Sequence, residues 1–179
     1  MVQNPQNAVL HLGHQNGTVT LWTPNLPQPV VKMLCHKSPV LDLQITGDGN
    51  YMCTSGLDSL VHVWDLRTYR KLHTYASLQP ATTLAISQKN HLCIGSGSRL
   101  QIYDRGLLGK QVQPYMCEQF NGSRVTNCTF CPYEDVLSVC GEDFFKSLVV
   151  PGSGEPNFDT FVENPYQTSR QRRDLNVQR

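Results

Sequence analysis

Leu60-Val61-His62-Val63-Trp64-Asp65 alternates apolar with partly polar positions and ends on a Trp-Asp pair. That is the pattern of a strand packed on one or both faces inside a stacked sheet. The same kind of anchor recurs at Trp22, Tyr103 and Val149, so the chain repeats itself roughly every forty positions. Around the quoted strand the unit is complete. Predicted strands at 40–46 and 51–55 precede it and one at 71–75 follows. Gly47-Asp48-Gly49-Asn50 and Gly56-Leu57-Asp58-Ser59 supply the turns between the first three.

The other units follow the same grammar. The first supplies strands at 8–12, 18–22 and 30–35, with no partner strand expected before Ala8. The third runs through 82–87, 91–94, 100–104 and 115–120 on weaker anchors. The fourth has 125–130, 136–140 and 147–150, then leaves the pattern. Four short strands repeated at this period read as an all-β, propeller-type fold. Closed propellers have about four to eight blades and bury their cores between neighbours, so about three and a half blades do not close a ring. The expectation is a piece of a longer protein that starts inside a blade. Residues 1–151 form part of a propeller, and 152–179 form an extension, a loop followed by a short polar helix.

Composition narrows the partners. The net charge is +1 with 16% charged residues, so no global field recruits nucleic acid or membrane. No apolar run approaches eighteen residues, and Met1-Val2-Gln3-Asn4-Pro5 is not a signal-peptide start. Neither a membrane nor a small-molecule substrate is expected as a partner. The seven cysteines, an odd number falling mostly in predicted strands, read as reduced core residues.

Four constellations carry candidate chemistry. His36, Asp58, Trp64 and a hydroxyl from Thr54 or Ser55, with Ser55 the expected member, suit a buried hydrogen-bond chain that satisfies the indole N–H. They also imitate a catalytic triad, but a triad needs an open cleft, and these positions fall inside a blade. No catalytic residue is therefore expected. Cys128 and Cys131 are a lone C-x-x-C, whereas a structural zinc site needs four ligands, so no metal and no cofactor are expected. On a strand the two sulfurs, three residues apart, point to opposite faces. Pro151-Gly152-Ser153-Gly154-Glu155-Pro156 lacks the helix start and lysine of a phosphate loop and reads as a sharp turn. Arg170, Arg172 and Arg173 form a short basic run whose guanidinium forks suit phosphate and are the candidate RNA contacts. Between these, Phe158, Phe161 and Tyr166 are spaced among polar residues and suit partner docking.

Three stretches carry a closer resemblance. They are Gly13-His14-Gln15-Asn16-Gly17-Thr18-Val19-Thr20-Leu21-Trp22-Thr23-Pro24, then Phe130-Cys131-Pro132-Tyr133-Glu134-Asp135, then Val149-Val150-Pro151-Gly152-Ser153-Gly154-Glu155-Pro156-Asn157-Phe158-Asp159 with Glu163-Asn164-Pro165-Tyr166 behind it. Together these resemble the nucleolar WD-repeat family of the small-subunit processome, along nearly the whole chain. The resemblance implies a partial WD-repeat β-propeller and a characteristic C-terminal domain. It also implies a non-enzymatic scaffold in the nucleolus that binds other ribosome-assembly factors and precursor ribosomal RNA and supports 18S rRNA maturation. Residues 152–179 would correspond to the C-terminal domain. The competing expectation is a generic WD-repeat adaptor, such as a ligase substrate receptor or a signalling scaffold.

Overall fold

The computed structural model describes residues 1–155, 168–170 and 173. Fifteen strands among the described residues build four antiparallel sheets, each a simple meander in chain order. The first is β1 (Val2–Gln3), β2 (Leu10–Gly13), β3 (Thr18–Trp22) and β4 (Val31–Leu34). The second is β5 (Val40–Ile45), β6 (Tyr51–Gly56), β7 (Leu60–Asp65) and β8 (Arg70–Ala76). The third is β9 (Ala81–Ile86), β10 (Leu92–Ser96), β11 (Arg99–Tyr103) and β12 (Met116–Gln119). The fourth has β13 (Val125–Phe130), β14 (Val136–Gly141) and β15 (Phe145–Val149).

The leading strands pack side by side, β5 against β9 and β9 against β13, so the sheets stack as blades of a partial propeller. Alternation along each strand then assigns one face to each neighbour. In β7, His62 and Trp64 turn toward the first blade, while Val61 and Val63 turn toward the third. The apolar interior accordingly divides into three clusters, one per blade junction. Leu21, Leu43, Met52 and Trp64 fill the first. Val61, Tyr75, Leu84 and Leu92 fill the second, and Leu100, Ile102, Leu137 and Val139 the third. Each buried aliphatic side chain contributes about 1.5–3 kcal/mol, and none of it is available to an isolated blade.

Polar bolts add direction to this packing. A bulge after Val40 aims Asp42, whose two oxygens accept the amides of Leu43 and, in the next blade, Leu84, both at 2.7 Å. Thr82 Oγ1 donates to Val125 O at 3.0 Å across the following junction.

One expectation requires correction. A strand does precede Ala8: Val2 pairs with His11 and Gln3 with Leu10. A tight reversal makes this possible, with the Asn4 amide on Val9 O, the Ala8 amide on Asn4 O, and Ala8 itself at φ 56°. Two residues are too short for an alternation to show in sequence.

Candidate functional site

The second blade holds a polar chain that runs from a turn into the core. Asp58 accepts the Leu60 amide and faces His36 Nδ1, with both carboxylate oxygens at 3.2 Å. His36 Nε2 lies 2.9 Å from Thr54 Oγ1, which in turn accepts the Trp64 indole N–H at 3.1 Å. The carboxylate can only accept, so Nδ1 carries a hydrogen; Nε2 lies against both Thr54 Oγ1 and, at 3.2 Å, the Thr54 carbonyl oxygen, and Thr54 Oγ1 accepts the indole N–H. Ser55, the expected member, is not part of this chain; its Oγ accepts the Asp42 amide at 3.0 Å. Neighbours on a strand face opposite sides, and pairing of Thr54 with His62 puts Thr54, not Ser55, on the Trp64 side.

His62 was not singled out in the sequence, yet it completes the cluster. Its ring stacks on His36 at 4.5 Å with planes 19° apart, and its Nδ1 lies 2.9 Å from Thr74 Oγ1. The ligating atoms of His36, Asp58 and His62 all lie within 4.8 Å of one another. Nitrogen lone pairs lie in the ring planes, so in nearly parallel rings they run side by side instead of converging on one ion. The arrangement is a stacking and hydrogen-bond cluster, and its burial is suited to fixing blade geometry.

Burial, reinforced by the neighbouring His36, pushes the His62 pKa down from 6.5 to about 4. The unfolded chain therefore takes up a proton that the folded one refuses. Stability is complete above pH 6.5 and falls as pH drops toward 4, by at most about 1.4 kcal/mol per pH unit for this group. Burial lowers His11 and His91 in the same sense. Denaturant titrations from pH 7.5 to 4 are expected to show this slope, and His62→Gln is expected to flatten part of it.

The first blade solves the same problem with other residues. Leu12 stands where Thr54 would be, and the hydroxyl comes instead from Thr20 on the neighbouring strand. Thr20 Oγ1 accepts the Trp22 indole at 2.8 Å and contacts His14 Nε2 at 2.7 Å. Asn16, in the place of Asp58, accepts the amide and hydroxyl of Thr18.

The glycine-rich loop after β15 is an anion cradle whose anion is internal. Asp135 Oδ1 accepts the Gly154 amide at 2.7 Å and Oδ2 the Gly152 amide at 3.0 Å. These two amides hold the Asp135 carboxyl below the usual range. Gln88 Oε1 accepts the Tyr133 amide and, at 3.4 Å, that of Glu155. A Cβ on Gly154 would lie 2.6 Å from the Glu134 carbonyl, so only glycine lets the loop lie this close. The loop is thereby latched to the β13–β14 turn. Asp135→Ala is expected to free it, read as faster hydrogen exchange at the Gly152 and Gly154 amides with β13 and β14 unchanged.

Of the C-x-x-C, Cys128 is buried with its sulfur 3.7 Å from that of Cys93, while Cys131 contacts Glu134 at 3.6 Å. Arg170 and Arg173 are helical and exposed. Phe158, Phe161, Tyr166 and Arg172 lie outside the described residues. No helix among the described residues is long and apolar enough to cross a membrane.

The family model of the BING4CT (NUC141) domain matches residues 114–179, and that of the WD domain, G-beta repeat, matches 27–65. In chain order, a WD-repeat match is followed by a BING4CT match. The chain is 42% identical to WD repeat-containing protein 46 of Caenorhabditis elegans over 99% of its length and 30% of the relative's. It is 38% identical to U3 small nucleolar RNA-associated protein 7 of Saccharomyces cerevisiae, again over 99% of the chain and 35% of that protein. It thus spans about a third of the curated relatives it matches. The solved structure of U3-55K superposes with a TM-score of 0.74 at 13% identity, over 85% of this chain and 48% of that one, which shows the propeller fold alone. The BING4CT match begins within the third sheet, before β12, and takes in the whole fourth blade and the latched loop.

Proposed function

We propose that this WD-repeat and BING4CT chain is part of a non-enzymatic scaffold for ribosome biogenesis. It works in the nucleolus within the small-subunit processome and supports precursor rRNA processing and 18S rRNA maturation. The observation that carries the reading is the similarity, along 99% of the chain and through both matched regions, to a protein named for association with a small nucleolar RNA. The geometry supports a scaffold. The His36–Thr54 pair is buried and serves the Trp64 indole, so the triad-like residues are occupied in holding a blade together. Residues 1–151 act as the rigid propeller part, and 152–179 as an extension that leaves it at the Asp135 latch. Phe158, Phe161 and Tyr166 dock on the propeller or a neighbouring assembly factor. Arg170, Arg172 and Arg173 contact precursor rRNA.

A tagged full-length pull-down at low and high salt tests this, with recovered RNA and proteins identified. Precursor small-subunit rRNA and nucleolar assembly factors are expected. If three or four arginine contacts reach phosphate, log affinity falls against log salt with a slope of roughly −2 to −4. Recovery of cytoplasmic proteins alone at both salts would return the chain to the class of generic adaptors.

A further inference from the structure

Asn16-Gly17 and Asn121-Gly122 are the two Asn-Gly pairs of the chain. This dipeptide is the one most open to attack on its own side-chain amide. The attacking atom is the backbone nitrogen after the asparagine, and a glycine there puts no side chain in its way. The fold must supply the rest: a nitrogen not held in a hydrogen bond, an amide side chain with no partner, and room for the backbone to bend into a cyclic imide. Asn16-Gly17 has none of these. The Gly17 amide donates to His14 O at 3.1 Å, and its carbonyl accepts the amides of Cys35 and His36. Asn16 Oδ1 accepts the hydroxyl and amide of Thr18, and the backbone of His36 crowds Gly17 from outside.

Asn121-Gly122 has all three. It lies in the connection between β12 and β13, and both residues are exposed. Neither the Asn121 side chain nor the Gly122 amide has a hydrogen-bond partner among the described residues. A Cβ added to Gly122 would meet nothing within 4 Å. The ends of the connection are pinned, the Phe120 amide on Ser98 O and the Val125 amide on Gly97 O, both at 2.8 Å. Bending is therefore confined to the residues between them and asks nothing of either blade. Every other asparagine among the described residues is followed by a proline or by an amide already bonded, as the Tyr51 amide is to Thr46 Oγ1 and the His91 amide to Ser87 Oγ.

We propose that Asn121 is a deamidation site of the folded protein and that the fold protects the same dipeptide at Asn16. The Gly122 nitrogen attacks Asn121 Cγ. A bond forms between them, the Cγ–Nδ2 bond breaks, and Nδ2 leaves as ammonia with the proton that Gly122 gives up. Water then opens the succinimide. Addition at Cγ yields aspartate, and addition at the backbone carbonyl yields isoaspartate, whose main chain runs through the side-chain carbon and is longer by a methylene. Either product places a new carboxylate three residues before Arg124, in the connection between the third and fourth blades and inside the BING4CT match. The site stands independently of the scaffold reading.

The purified chain is incubated at mildly alkaline pH, folded and in denaturant, and the peptides carrying residues 16 and 121 are followed by mass spectrometry for amide-to-acid conversion. In the folded chain, position 121 is expected to convert at least about tenfold faster than position 16, since a hydrogen-bonded turn must open before its nitrogen can react. In denaturant the two rates are expected to converge. Isoaspartate, counted by enzymatic carboxyl methylation, should appear in the peptide carrying residue 121 and be lost from that peptide in Asn121→Gln, whose longer side chain does not close the same ring. No conversion at 121, equal rates at 16 and 121 in the folded chain, or a rate difference that persists in denaturant would each overturn the proposal.

Discussion

Thr54→Val is expected to cost about 1–3 kcal/mol of unfolding free energy, and Thr54→Ser less. The valine keeps the volume and removes the single oxygen that serves both the Trp64 indole and His36 Nε2. The indole is buried and finds no water in exchange, and an orphaned donor costs about 1–3 kcal/mol, while His36 Nε2 keeps the Thr54 carbonyl oxygen at 3.2 Å. Serine retains the oxygen and loses a methyl, a penalty of about 1 kcal/mol. A double-mutant cycle separates the network from packing. Trp64→Phe removes the indole donor, so Thr54→Val should cost less in that background, with a coupling of about 0.5–3 kcal/mol. Denaturant unfolding of the four proteins measures it. Additive costs would mean that the indole draws nothing from Thr54.

The same residues show where sequence reading stops. The Trp-Asp strand and its glycine turns announce the second blade because alternation and turn chemistry are local. The choice between Thr54 and Ser55 is not local. It depends on which side of β6 faces the first blade, and only the pairing of Met52 with Trp64 and Thr54 with His62 decides that. His62 reads as an ordinary inward residue of an alternating strand, and its stack on His36 requires the register of a loop 26 positions earlier. The glycine-rich loop was legible as a turn and as an unlikely phosphate site. That it cradles a carboxylate was not, because Asp135 lies 17 residues before Gly152 across a hairpin. Thr20 shows the converse: a polar residue two positions before Trp22 on the same strand is a local signal, and it identifies the hydroxyl that accepts the first blade's indole N–H.

Gly17→Ala is expected to be more damaging still, at least about 4 kcal/mol, and a short glycine series explains why. Gly47 has open space where a Cβ would be added and no left-handed backbone, so Gly47→Ala should be near neutral or slightly stabilising. Gly152 has open space but φ +79°, so alanine there adds only backbone strain of about 1–2 kcal/mol. Gly17 combines φ +77° with a Cβ position 2.0 Å from His36 O and 2.8 Å from Ser38 O. Backbone atoms cannot rotate away as side chains do. The carbonyl of Gly17 also accepts the amides of Cys35 and His36 at 3.0 Å, so the turn that must move is the one that places His36. Alanine at 17 therefore pushes apart the first two blades and draws the imidazole away from Thr54 and Asp58 together. Measured side by side by denaturant unfolding, the three substitutions should rank Gly47, Gly152, Gly17 in rising cost. The Gly17 variant should also lose part of the Thr54→Val penalty, since the bond that valine deletes is already strained. An equal cost at 17 and 152 would show that the junction yields to the added methyl and that the turn does not hold His36 in place.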